Sequence, residues 1–434
     1  ALLMTQRELT PGEGLEFVIR GVRDRYLGVD ESWKELYTWY RQNEGQKVDR
    51  ILDAGFFKKK PDALTGEEAA ELYGEKKQFS VTRMERFSAC AYAHFLTYGL
   101  HLSDRERYEF EAMDLGNIAH QSMERFARKA QEKRMPWPKL EEVQRDAMIE
   151  ESVEESIKDY GNTVLYSTAR NEYMIVRIKQ LIRRSVWALT RQMEKGDFEP
   201  SGYEMNFGSG KIDRVDTCED EDVVYVKVTD YKTGMKSFDI VALYHGLQMQ
   251  LPVYLNAALE LEERRASGKT VEPAGIFYYR IKDPIVDREK DDHALEEKIL
   301  KELRLDGMIN AKEEVIEHLE HQLSGTSVLN PIGKNKDGSL NRYSKVLTPE
   351  AFAAMLSYTK KKEAQVKRQI YAGEVQANPY ELNGSTGCDY CAYRDICGFD
   401  PRLDGYAYRS LEKYSKEEVI RRMEEEIENR EEPS

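Results

Sequence analysis

Three cysteines stand close together near the C-terminal end of the sequence, as Cys388-Asp389-Tyr390-Cys391 followed by Cys397, in a loop flanked by glycine and aromatic residues. Three thiolates at this spacing can hold a metal or a cluster, and a closed tetrahedral or cubane shell needs a fourth. Two cysteines remain, Cys90 and Cys218. Cys218 stands beside Glu219, Asp220, Glu221 and Asp222 in an expected turn, where neighbouring carboxylates disfavour a thiolate. Cys90 is therefore the better fourth ligand. That choice closes a loop of 388 − 90 = 298 positions, so the beginning and the end of one domain must lie side by side. A structural zinc site is the rival, but a zinc ribbon shows two paired Cys-x-x-Cys knuckles and this chain has one.

The odd count of five cysteines, with no basic-then-apolar segment at the start, fits a reducing compartment and metal ligation better than a disulfide framework. A cytoplasmic location is expected. At 434 residues the chain is too long for one ordinary core, and two or three units are expected. No apolar run approaches the roughly 18 residues needed to cross a bilayer. The first residues, Ala1-Leu2-Leu3-Met4, lack a start methionine, and the chain reads as a fragment of a longer protein. Its net charge of −14 argues against wrapping nucleic acid by bulk electrostatics. A local DNA channel is compatible with it, because bound cations and a basic partner subunit can supply the positive charge.

Helical spacing of Phe17, Val18, Val22 and Tyr26, then of Trp33, Leu36, Tyr37 and Tyr40, predicts helices over residues 11 to 45, before a Lys-rich linker at Lys58-Lys59-Lys60-Pro61. Thr82-Arg83-Met84-Glu85 has the form of a capping box, which would put Cys90 inside a short helix. Helices are expected from about Leu115 to Glu132 and on through Met193. The period then changes. Tyr203 to Phe207, Gly210 to Asp216 and Val223 to Lys232 read as strands, followed by a helix from Ile240 to Glu262 and a strand from Gly275 to Arg280. This order predicts an α/β core around a small mixed sheet. A hairpin is expected at Lys336-Asp337-Gly338, and a charged, solvated helix from Lys413 to Glu432.

Asp230-Tyr231-Lys232 ends the third strand, where residues two apart point to one face. Asp213, on the neighbouring strand, can add a second carboxylate. Two hard oxygen donors and an ammonium are suited to phosphodiester hydrolysis: the carboxylates can hold Mg²⁺ or Mn²⁺, and the lysine can stabilise developing negative charge. Gly116-Asn117-Ile118-Ala119-His120 adds an imidazole from the helix before the strands, and Gln250 and Tyr254 lie at i and i+4 on the helix after them.

In order and element type, Gly116 to His120, Gly210 to Arg214, Asp230 to Gly234 and Gln250 to Tyr254 resemble the RecB-like branch of the PD-(D/E)XK nucleases. The resemblance implies a restriction-endonuclease-like fold with large helical additions. It also implies metal binding by His120, Asp213 and Asp230, a catalytic Lys232, and support of the site and the DNA by Gln250 and Tyr254. Glu204 is a further candidate. Phe87-Ser88-Ala89-Cys90-Ala91-Tyr92 is similar to the remote-cysteine segment of the AddB (RexB) family, although Ala91 stands where that family commonly has proline. That likeness implies a [4Fe–4S] cluster on Cys90, Cys388, Cys391 and Cys397.

From about Phe79 to Phe399 the chain resembles the C-terminal nuclease domain of that family. The implied activity is Mg²⁺-dependent exonucleolytic degradation of one DNA strand, the 5′-terminated one, during double-strand-break processing and recombination. An AddA-like helicase-nuclease subunit is the implied partner. The implied organisation is a helicase-like remnant and linker over 1–78, the nuclease domain over 79–400, and a charged helical tail over 401–434. A free-standing iron-sulfur exonuclease of the CRISPR-adaptation type and a non-catalytic DNA-end scaffold are the competing readings. No phosphate-binding loop is present, since Glu263 stands where the glycine before Gly268-Lys269-Thr270 is required.

Overall fold

A computed structural model describes residues 10–24, 31–55, 63–74, 79–103, 112–160, 168–208, 210–266, 268–289, 291–403 and 405–428. The chain divides into two compact units. One comprises Ala1–Asp62 with Gly398–Ala407, and the other Ala63–Cys397 with Tyr408–Ser434. In the first, helices Pro11–Asp24, Trp33–Asn43 and Gly45–Gly55 surround a small core of Val18, Tyr40 and Val48. The Lys-rich linker lies outside the described residues.

The second unit is built on a six-stranded mixed sheet in sequential order: β1 (Glu199–Phe207), β2 (Gly210–Glu219), β3 (Val223–Lys232), β4 (Thr270–Arg280), β5 (Asp306–Asn310) and β6 (Val346–Leu347). The first three strands form an antiparallel meander, and β4 joins β3 in parallel after a crossover through helices Ile240–Tyr244 and Gln250–Glu263. The α/β class and mixed sheet expected from the sequence are thus found.

Alternation along the central strands divides the sheet into two faces. Val224, Val226 and Val228 of β3, with Ile276 and Tyr278 of β4, join a core with helices Gln250–Glu263 and Pro349–Tyr371. Tyr225 and Tyr231, with Phe277 and Tyr279, join the opposite core with helices Ala112–Glu132, Glu142–Asp159 and Ala169–Met193. Helices therefore cover both faces. A second sheet of β7 (Tyr380–Leu382), β8 (Ser385–Thr386) and β9 (Arg409–Ser410) carries the three-cysteine loop.

Three local expectations need correction. Thr82 does not cap its helix; Val81–Ala89 starts after Ser80, whose side chain accepts from the Arg83 N–H. Cys90 lies in an extended break, φ −166° and ψ 119°, between that helix and Ala91–His94. The C-terminal helix Lys416–Glu428 is not a solvated tail. Its Val419 and Met423 are fully buried against the core shared with helices Gln250–Glu263 and Pro349–Tyr371, because the apolar residues of this charged segment fall on one stripe. The hairpin exists as a tight turn in which the Asn335 N–H donates to the Ser339 carbonyl at 2.7 Å.

Candidate active site

The last hydrogen-bonded pair between β2 and β3 on this side is Arg214 with Thr229, so one step further along brings Asp213 and Asp230 across from each other. Cross-strand neighbours share a face, and two carboxylates meet there. Asp230 is 2% exposed. Its Oδ1 accepts from Gln250 Nε2 at 3.0 Å, and its Oδ2 faces Lys232 Nζ at 2.5 Å. Gln250 Nε2 also reaches the Tyr254 hydroxyl at 2.9 Å, so the i, i+4 pair bears on one point.

His120 enters from helix Ala112–Glu132. Its Nδ1 stands 3.3 Å from Asp213 Oδ2, which also accepts the Tyr231 N–H at 2.8 Å. Glu204 completes the group: donor atoms of His120, Glu204 and Asp213 all lie within 4.8 Å of one another. Glu204 adopts a left-handed backbone, φ +48°, inside β1. Non-glycine residues seldom do so, and the conformation persists here because strand pairing holds both neighbours. Lys211 bridges Glu204 and stands 3.8 Å from Glu124 Oε2. A cleft of about 460 Å³ runs along the cluster, with His120, Glu204, Asp213, Lys232 and Gly234 in its wall.

Burial holds the Asp230 carboxyl well above the usual carboxylate range, the Asp213 charge raises it further, and Lys232 offsets part of this. Burial raises Glu204 as well, with Lys211 opposing. At His120 burial works against the charged ring, but the Asp213 carboxylate outweighs it and the net shift is upward. Carboxylates crowded beside an imidazole gain most from a cation, and the hard oxygen donors fit Mg²⁺ or Mn²⁺.

The sequence profile of the PD-(D/E)XK nuclease superfamily matches residues 78–398. The chain belongs to this superfamily. It is 37% identical over 427 residues to a subunit of the ATP-dependent helicase/deoxyribonuclease of Lachnoclostridium phytofermentans, covering 94% of this chain and 37% of that protein. The same-named proteins of Alkaliphilus oremlandii and Caldanaerobacter subterraneus are 32% and 33% identical, covering 97% and 89% of this chain but 39% and 35% of theirs. The chain therefore spans under two fifths of the length of these relatives.

One residue of this PD-(D/E)XK site has a role that its sequence setting does not announce. Glu85 Oε1 accepts from the N–H groups of Met249 at 2.7 Å and Gln250 at 3.0 Å, capping a helix whose own N-cap side chain makes no such bond. In sequence Glu85 reads as part of a local capping box, and a cap supplied from 164 positions away leaves no trace in a local window.

The cysteines are brought together within the same unit. Cys388 lies within electrostatic reach of Cys90, Cys391 and Cys397. Cys90 and Tyr393 share a small core with Ala93 and Leu96, and Cys391 packs against it. Burial pushes the Cys90 thiol up, while the nearby backbone N–H groups of Ala93, Asn378 and Tyr92 oppose that shift. At Gly387, beside Cys388, a Cβ would come within 2.9 Å of the Ala89 carbonyl, so the two segments meet backbone to backbone. Sulfurs gathered from both ends of the unit, beside backbone N–H groups, fit a thiolate-ligated cluster. Cys218 lies elsewhere, buried in β2, where Asp197 and His318 are its neighbours. It is part of the strand, which runs on to Glu219, and not of the expected turn.

Proposed function

We propose that this chain is a divalent-metal-dependent deoxyribonuclease that hydrolyses phosphodiester bonds of one DNA strand, with His120, Glu204, Asp213, Asp230 and Lys232 at its centre. The observation that carries this reading is the meeting of His120, Glu204 and Asp213 donor atoms beside the Asp230–Lys232 pair. A bound Mg²⁺ or Mn²⁺ would polarise the scissile phosphate and acidify a water. His120, Asp213 and Glu204 present the donors for it, and Asp230 flanks them. Lys232 supplies a positive charge where the oxygens on the pentacoordinate phosphorus would develop negative charge. Gln250 fixes the Asp230 carboxylate, and Tyr254 holds Gln250.

The relatives' name and the resemblance to the AddB family support a finer reading. On it, the chain is the nuclease part of a helicase-nuclease, acts on the 5′-terminated strand, and pairs with an AddA-like subunit in the cytoplasm. Residues 79–400 then form the nuclease domain and 1–78 the remnant of the helicase-like part. Cys90, Cys388, Cys391 and Cys397 hold a [4Fe–4S] cluster with a structural role. No helix among the described residues is long and apolar enough to cross a membrane. The deciding experiment is digestion of end-labelled single-stranded DNA by the purified chain, with and without Mg²⁺ and with Lys232→Ala. Cleavage that needs Mg²⁺ and is lost in the variant supports the reading; Mg²⁺-independent binding without cleavage makes the chain a DNA-end scaffold instead.

A further inference from the structure

Away from the carboxylate cluster, a second set of donors converges. Donor atoms of Asp197, Cys218 and His318 lie within 4.8 Å of one another. Asp197 Oδ2 is 2.8 Å from His318 Nδ1 and 2.7 Å from His321 Nε2. The four residues come from three places in the chain: the loop before β1, the body of β2, and the end of helix Glu313–Leu319 with the turn after it.

The backbone holds these segments together whether or not the side chains are occupied. The Asp197 N–H donates to the His318 carbonyl and the His321 N–H to the Lys195 carbonyl, each at 2.8 Å. At Gly196 a Cβ would fall 2.4 Å from the His318 carbonyl oxygen, so no larger residue permits this approach. The donors are therefore aimed by main-chain geometry. An ion-pair network would account for the carboxylate and the two imidazoles; the Cys218 sulfur, 4% exposed, sits where the apolar core meets them and brings a soft donor within their reach.

We propose that Asp197, Cys218, His318 and His321 form a structural transition-metal site of the zinc class. One thiolate, two imidazoles and one carboxylate complete a tetrahedral shell, and the sulfur and nitrogen donors favour Zn²⁺ over Mg²⁺. With metal bonds of about 2.0 to 2.3 Å, tetrahedral donors stand roughly 3.3 Å or more apart. The two imidazole–carboxylate contacts therefore open by about half an ångström on loading, and the exposed His321 ring, which lies outside the 4.8 Å group, closes on the other donors. Asp220 Oδ2 lies 3.8 Å from His318 Nε2, the ring nitrogen left over, where it can orient the ligand from outside the shell. The site lies five residues along β2 from Asp213, about 17 Å at the rise of a strand. It would pin the far end of the β1–β2 hairpin to helix Glu313–Leu319, independently of the nuclease centre and of the four-cysteine region.

The test is elemental analysis of the full chain, purified without chelators, with zinc and iron measured per polypeptide. One zinc is expected, lost in Cys218→Ser and in His321→Ala while iron is unchanged, and retained in Cys388→Ala. Loading with Co²⁺ should give the visible bands of a tetrahedral ion and a thiolate charge-transfer band, both missing in Cys218→Ser. His321 is half exposed and its removal leaves the core intact, so this variant decides the matter if Cys218→Ser misfolds. Zinc that follows Cys388 and ignores Cys218 and His321 would overturn the proposal. So would failure of the chain to take up Zn²⁺ or Co²⁺ in a Cys218- or His321-dependent way.

Discussion

Glu204, Asp213 and Asp230 stand on three neighbouring strands whose backbones are hydrogen-bonded along their length, with apolar cores on both faces of the sheet. Cys90, Cys388, Cys391 and Cys397 sit instead in a helix break, a turn and a four-residue helix, over a core of Cys90, Ala93, Leu96 and Tyr393. Both regions gather donor atoms, but only in the first does strand pairing hold them in place. A carboxylate site on a sheet can exchange its cation freely, since geometry is set by strand pairing. On the proposed reading, a region with so small a core of its own depends on ligation for its order.

This contrast can be broken or sharpened by substitution. The largest effect is expected at the cysteines. On the proposed reading, alanine at Cys90, Cys388, Cys391 or Cys397 removes a cross-link over nearly 300 positions, worth up to about 5 kcal/mol by loop closure. The brown absorbance near about 400 nm should disappear and limited proteolysis should accelerate. A colourless Cys391→Ala chain as protease-resistant as the parent would contradict the structural role. Next comes Asp230→Ala, which should lower Mg²⁺-dependent cleavage by about 10³-fold or more, roughly 4 kcal/mol, with unchanged circular dichroism. Near-normal activity would remove Asp230 from the centre. His120→Ala should raise the Mg²⁺ needed for half-maximal rate by roughly tenfold, about 1.4 kcal/mol, with partial rescue by Mn²⁺ and unaltered DNA affinity. A fall in affinity with an unchanged metal requirement would assign His120 to the DNA path. The smallest effect is expected for Glu85→Gln, a loss of about 1 kcal/mol or a few-fold in kcat as Gln250 loses its charged cap, with KM and metal requirement unchanged. Equal kcat in parent and variant would show that the cap does not align Gln250.

How much of this is legible in the sequence depends on the range of the interactions. The β-branched run of β3 and the position of Asp230 and Lys232 at its end follow from short-range pattern, and both are found. The meeting of His120 with Asp213 needs the resemblance as well, because packing a helix against a strand is tertiary. Strands β5 and β6 escape a reading by pattern, since five and two residues carry too little of it to stand out. The terminal helix looks solvated because its charge masks Val419 and Met423, although their spacing is there to be seen. Cys218 is placed wrongly by pattern because four acidic neighbours suggest a turn two residues too early. His318 and His321 carry no local signal, as their partners lie more than 100 positions away.

Helix Val81–Ala89 has one further consequence. It is a stiff rod of nine residues, with Glu85 at its middle against the Gln250 N–H and Cys90 immediately after its last turn. The two points are separated by about 7 Å at the rise of an α-helix. A lever that short does not bend, so a tilt that carries Cys90 away from Cys388 also swings Glu85 relative to the start of helix Gln250–Glu263. On the proposed reading of the cysteines, the alignment of Gln250 on Asp230 is thus a readout of whether the two ends of the domain are fastened together.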